Sequence, residues 1–206
     1  MPTCQDTCKA HLKLGVVKMK TSKVHKLTIA ALLVAVGILI PMISPIKIVL
    51  EPASFTLASH VSIFIAMFIS PIIAITVALG TAVGFLLGGF PIIITLRALT
   101  HVVFAGVGSY ILLKKPEILQ SAVKTQLFSL FIGFLHAVCE VIVVSAFYFG
   151  GEMTTAYYVQ GFLQSVFLLV GVGTIIHSMI DFMLAHIVWK ALISRKTFAA
   201  TVAKLK

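Results

Sequence analysis

Charge is what this 206-residue sequence has least of. Six side chains are Asp or Glu and sixteen are Lys or Arg, so 11% of the chain is charged, against about 25% in soluble domains. So few charges cannot cover the surface of a water-soluble fold, which excludes soluble enzymes. The apolar share of 60% and a mean hydropathy of +1.13 exclude intrinsic disorder. Cysteine is scarce too: Cys4, Cys8 and Cys139 imply no disulfide framework. Motifs of chemistry are missing as well. There is no GxSxG elbow, no HExxH and no Gly-rich phosphate loop. Gly84, Gly88 and Gly89 lie in an apolar stretch and read as helix packing or a turn. On these motifs no enzyme, cofactor or metal centre is expected, and the chain cannot energise transport with ATP by itself.

What is present is long uncharged sequence. Residues 27–46, 52–96, 98–113, 125–139 and 153–180 carry no formal charge. About 20 helical residues cross the roughly 30 Å hydrocarbon layer, so the interval 52–96 holds two spans. Ser70-Pro71 and Gly88-Gly89-Phe90-Pro91 punctuate it. The expected spans are about 24–43, 55–70, 72–89, 91–113, 125–149 and 171–193, which makes an all-α integral membrane protein with a six-helix bundle. The connections at 70–71 and 89–91 are short enough to make antiparallel neighbours. The longer ones, 44–54 and 150–170, fall on one side. The second carries Tyr157, Tyr158, Phe162 and Phe167, so it is expected to fold back as a lid or short helix over the bundle mouth.

The net charge of +10 raises nucleic acid as a partner, and position removes it. With the amino terminus inside, 14 of the 16 basic residues fall on inner segments, leaving Lys47 outside and Arg97 within a span. That asymmetry places both termini in the cytoplasm, and no nucleic-acid motif accompanies it. The first apolar run is span-length and lacks a cleavage site, so it reads as a transmembrane helix rather than a signal peptide. Residues 1–20 read as a polar extension with Met19-Lys20 as a candidate natural start, 21–196 as the membrane domain and 197–206 as a tail. Cys4, Cys8 and His11 have metal-like spacing, but an incidental polar tail explains them more simply.

Ionisable groups within spans are costly and mark cavities or partners. Helix four carries Arg97 and His101, helix five His136 and Glu140, helix six His177 and Asp181. Each pair is spaced i,i+4 and so shares a helical face. His60 joins them from helix two, and His186 lies nearer the inner end. At 1.5 Å per residue, Arg97 and His177 sit roughly 9 Å, and Glu140 roughly 13 Å, below the outer helix ends. The set therefore clusters in the outer half, as a pocket beneath the long connections. A plainer alternative pairs Arg97 with Glu140 or Asp181 as a structural ion pair. Each His-x3-acid pair could also hold a metal as an isolated helical pair. Arg97, the sole intramembrane Arg, suits a carboxylate, and apolar walls suit a flat ring. The acids leave cationic or zwitterionic ligands open. On helix one, Ala31 and Ala35 form a small-x3-small surface that permits close helix approach.

Lys26-Leu-Thr-Ile-Ala-Ala-Leu-Leu-Val-Ala35, six spans in about 190 residues and a long outer first loop together resemble the substrate-binding S components of energy-coupling factor (ECF) vitamin transporters, over roughly residues 22–195. Segments 44–60 and Thr95-Leu-Arg-Ala-Leu-Thr-His101, with His177-Ser-Met-Ile-Asp181, are similar to the niacin type. The resemblance implies that the chain captures a small vitamin, nicotinate, from outside and topples to release it inside. It implies a partner face at Ala31 and Ala35 for the coupling protein EcfT, which rests on two EcfA-type ATPases. It also implies Arg97 as the carboxylate holder, with His60, His101, His136, Glu140, His177 and Asp181 as pocket groups. The alternatives are an S component for another vitamin or cofactor precursor, a self-contained proton-coupled transporter, or an intramembrane enzyme.

Overall fold

The computed structural model describes residues 4–50 and 53–205, with side chains at 23–46 and 55–205. Cys4, Cys8, His11 and Lys47 lie outside the described side chains. The first helix, α1 (Cys4–Ile43), is followed by an antiparallel hairpin of β1 (Lys47–Leu50) and β2 (Ala53–Thr56). Its register sets Lys47 opposite Thr56 and Leu50 opposite Ala53. Then come α2 (Val61–Ile69), α3 (Pro71–Leu87) and α4 (Ile92–Lys114). A 3₁₀ turn (Pro116–Gln120) leads to α5 (Ala122–Phe149). The short α6 (Thr155–Phe162), a π-helical stretch (Leu163–Val172), α7 (Gly173–Ile193) and α8 (Lys196–Ala203) complete the chain.

The breaks follow from local chemistry. Ser70 is extended and caps α3, its Oγ accepting the Ile73 N–H. Pro71, with no N–H to donate, suits the first turn it opens. Gly88 caps α3, Gly89 turns at positive φ, and Pro91 starts α4. At Gly161 the backbone takes φ +79°, a left-handed conformation that glycine adopts without steric penalty. That residue kinks the chain near the end of α6, just before the helical run that continues into α7.

Two expectations change here. Residues 55–60 end the hairpin and turn into α2, so α2 has nine residues rather than the sixteen of the span 55–70. Nine residues reach only about 14 Å. Helical structure also precedes α7 from Leu163, eight residues before the expected start at 171. The aromatic connection 150–170 is thus a short helix followed by helix, with Tyr157 buried. Four described helices are long and apolar enough to cross a membrane: Lys23–Ile43, Ile92–Lys114, Ala122–Phe149 and the Thr155–Ile193 run. Pro71–Leu87 is apolar and shorter.

α2 sits at the centre, with eight of its nine residues buried. Around Phe64, Met67 and Ile69 pack Ile73 and Val77 of α3, Phe104 of α4, Ile132 of α5 and Phe182 of α7. α1 lies against α3 through small residues: a Cβ on Gly80 would come within 3 Å of Val34, and one on Gly37 as close to Ser62 and Thr81. The outside is apolar. Leu32, Leu86, Leu99, Phe131, Ile142, Ile176 and Ile187 are all exposed. An apolar exterior around buried ionisable groups is the arrangement lipid solvent demands. Among the described residues the protein is α-helical and multi-pass, with one small hairpin.

Candidate functional site

The three i,i+4 pairs meet at one end of the bundle. Arg97, His101, His136 and Glu140 are buried, as are His60 and Asp181, while His177 is half-buried. They form two carboxylate-centred groups. Around Glu140, Arg97 Nη2 donates to Oε2 at 2.9 Å and Thr174 Oγ donates to the same oxygen at 2.6 Å. The Nε2 atoms of His136 and His101 lie 3.4 and 3.7 Å from Oε1. The buried Arg97–Glu140 ion pair, weighed above as the plainer alternative, therefore forms.

Asp181 centres the second group. The backbone N–H of Ala58 donates to Oδ1 at 2.7 Å, and that of His60 to Oδ2 at 2.9 Å. Ser59 Oγ donates to Oδ2 at 3.3 Å, and His177 Nε2 lies 3.5 Å from it. A carboxylate that already accepts these donors also accepts from His60 Nδ1 at 3.0 Å. Ala58 is the one non-glycine residue of positive φ (+68°) among those described. The turn joining hairpin to α2 is strained there and is held by Asp181.

A cavity of about 430 Å³ opens between the two groups. His60, Arg97, His101, His136, Glu140 and His177 line it, with Phe55, Ile63, Phe85, Phe90 and Ile94 as apolar wall. Asp181 is fully buried and stands behind the wall, so its contact with the cavity runs through Ser59, His60 and His177. The lining comes from the end of α1 (Pro41), the start of α2, the end of α3, the start of α4, the later half of α5 and the start of α7. Helices that alternate start and end around one cavity run alternately up and down. The hairpin closes one side: the Phe55 ring sits 5.5 Å from His177, and a Cβ on Gly173 would lie 2.8 Å from Phe55 Cζ. Gly173 makes that close approach possible.

Thr174 and Ser59 belong to the site without being ionisable. Hydroxyls are common in membrane helices and carry no charge signal; only their adjacency to His60, and one turn to His177, marks them. His186 stays apart, with its Nε2 3.2 Å from the Leu119 carbonyl of the 3₁₀ turn. Cys139 is a free thiol. Ala31 and Ala35 are exposed on α1 and away from the cavity, whereas Ala30 and Gly37 face inward.

Compared with curated proteins, the chain is 47% identical over 166 residues to the niacin transporter NiaX of Lactococcus lactis subsp. cremoris. The match covers 81% of this chain and 73% of that protein. No protein-family model matches, and no solved structure matches.

Proposed function

The chain belongs to the family of the niacin transporter NiaX, and from that premise we propose that it is the substrate-binding S component of an ECF-type importer, binding nicotinate in the cavity at the end of the bundle. The observation that carries this is an apolar-walled cavity of about 430 Å³ with a single guanidinium on its wall. Arg97 holds the ligand carboxylate: a guanidinium has five donors in a rigid fork, enough to serve Glu140 and a second carboxylate together. Glu140 and Thr174 fix the orientation of that fork. Phe55, Phe85 and Phe90 flank the pyridine ring, and His60, His101, His136 and His177 meet its nitrogen and edge. Asp181 acts by holding the hairpin turn that carries His60.

Both termini lie in the cytoplasm, following the basic residues, and the cavity opens outward beneath the hairpin and α6. Six passages cross the membrane: α1, α3, α4, α5, α7 with its π-helical start, and α2 continued by β2. Non-helical backbone at that depth requires internal partners, which Asp181 supplies. Ala31 and Ala35 form the face that meets EcfT, and two ATPases beneath EcfT supply the energy for release inside.

The test is direct binding of nicotinate to the purified protein, with Arg97→Ala alongside. A lost charge-assisted bond within a buried site costs about 2–5 kcal/mol, so affinity is expected to fall at least thirtyfold. Equal affinity in the variant would remove the carboxylate role. Reconstituted vesicles decide the mode of transport. Uptake that needs EcfT and ATP supports the S component, and uptake by this chain alone on a proton gradient supports the secondary transporter.

A further inference from the structure

The cavity holds a feature that recognition of a small carboxylate does not require. The imidazoles of His60, His101 and His136, from three different elements, form a nearly equilateral triangle. Ring centroids are 4.8 Å apart for His60–His101, 4.8 Å for His60–His136 and 4.7 Å for His101–His136, with planes inclined at 72°, 73° and 88°. One ligand atom from each lies within 4.8 Å of those of the other two. His101 and His136 are 6% and 1% exposed, and no ring nitrogen of either makes a hydrogen bond. The nearest polar partner of both is one carboxylate oxygen, Glu140 Oε1, at 3.7 Å from His101 Nε2 and 3.4 Å from His136 Nε2, which leaves two buried imidazoles under-partnered, a costly arrangement.

We propose that His60, His101 and His136 form a binding site for one divalent transition-metal ion of the zinc class, with its open coordination position facing the cavity. Three imidazoles plus an open position is the ligand set of a non-structural zinc site. The support behind His60 has the matching form. Its Nδ1–H donates to Asp181, whose carboxylate is itself held by the backbone N–H groups of Ala58 and His60. That bond fixes the tautomer and leaves Nε2 as the lone-pair donor, the carboxylate–histidine–metal relation that orients metal-bound imidazoles. Charge agrees as well: with neutral imidazoles, Glu140 and Asp181 outweigh Arg97 by one negative charge around the site. Zn–N bonds of about 2.0–2.1 Å set ligand nitrogens about 3.4 Å apart, so the triangle closes by movement of side-chain tips. All three histidines line the cavity, so the remaining position takes a nitrogen or oxygen donor from the cavity occupant or a water. The inference does not depend on which ligand the cavity holds.

The experiment uses untagged full-length protein, stripped with chelator and titrated with Co²⁺ as a spectroscopic probe and with Zn²⁺ in competition. The expected result is one Co²⁺ per chain with the strong visible bands of a four-coordinate ion, displaced by Zn²⁺. His101→Asn and His136→Asn should each abolish the bands, and Asp181→Asn should weaken binding about 10–100-fold. A Cys4→Ser/Cys8→Ser variant should bind as the parent does. Thermal stability supplies a readout that needs no variant, since a native-state ligand raises Tm with its concentration. No Co²⁺ uptake together with no Zn²⁺-dependent rise in Tm would overturn the proposal. So would Co²⁺ bands that survive both histidine variants and vanish with the two cysteines. Nicotinate binding measured in parallel separates the two readings. Stripped protein that binds nicotinate but no Co²⁺ ends the metal site alone, and protein that binds Co²⁺ but no nicotinate ends the vitamin reading alone.

Discussion

Replacing Asp181 by Ala isolates the hairpin latch. The substitution removes the acceptor of two backbone N–H groups, at 2.7 and 2.9 Å, and of the His60 Nδ1–H at 3.0 Å. Hydrogen bonds to a charged acceptor contribute about 1.5–3 kcal/mol each. The two backbone donors alone therefore account for roughly 3–6 kcal/mol of resistance to opening of the turn. At 1.4 kcal/mol per factor of ten, amide exchange in the segment 57–61 should accelerate by about 10²–10⁴. The segment 64–68 of α2, packed against Phe104, Phe182 and Ile73, serves as an internal reference and should change less than threefold. Asp181→Asn keeps one acceptor oxygen and should fall between. The assay is hydrogen–deuterium exchange read by mass spectrometry on both segments. Unchanged exchange at 57–61 would refute the latch. Equal acceleration of both segments would show that Asp181 supports the whole bundle and has no local role at the turn.

Glu140→Gln leaves Arg97 buried beside a neutral group and should destabilise the protein by about 3–5 kcal/mol, read as a lower Tm. The double variant Arg97→Ala/Glu140→Ala should be less destabilised than the sum of its singles, and additivity would mean that the 2.9 Å pair carries no coupling. Gly173→Leu puts a side chain where Phe55 Cζ would lie 2.8 Å from its Cβ. The hairpin should lift, with faster exchange at 55–61 and weaker nicotinate binding, and unchanged values of both would contradict the seating described. Ala31→Trp with Ala35→Trp should leave nicotinate binding intact and abolish uptake by the assembled importer. Lost binding would mean that this face is internal.

The solvent of this protein is legible in its sequence. Lipid requires apolar exteriors, and scarcity of charge over long intervals reports that requirement residue by residue, so α4, α5 and the Lys23–Ile43 part of α1 stand close to where the uncharged runs place them, although α1 itself begins at Cys4. The polar pairs are legible for the same reason. Nothing but a cavity or a partner repays Arg97, Glu140 or Asp181 in a span, and i,i+4 spacing fixes their shared faces before any packing is known. Lengths fail where competing structures use the same residues. The uncharged segment 55–60 carries no signal that separates helix from hairpin, and tertiary contact decides: Phe55 against Gly173 and the Ala58 and His60 amides on Asp181. The start of α7 is similar, since Gly161 breaks the chain and the apolar residues after it simply continue as helix. Spacing within one helix also cannot say which carboxylate meets which cation. That Arg97 goes to Glu140, that Asp181 stands behind the wall, and that three histidines from separate elements face one another are consequences of how α2 sits among α4, α5 and α7. Periodicity determines which residues share a face, and only packing determines what each face finds opposite it.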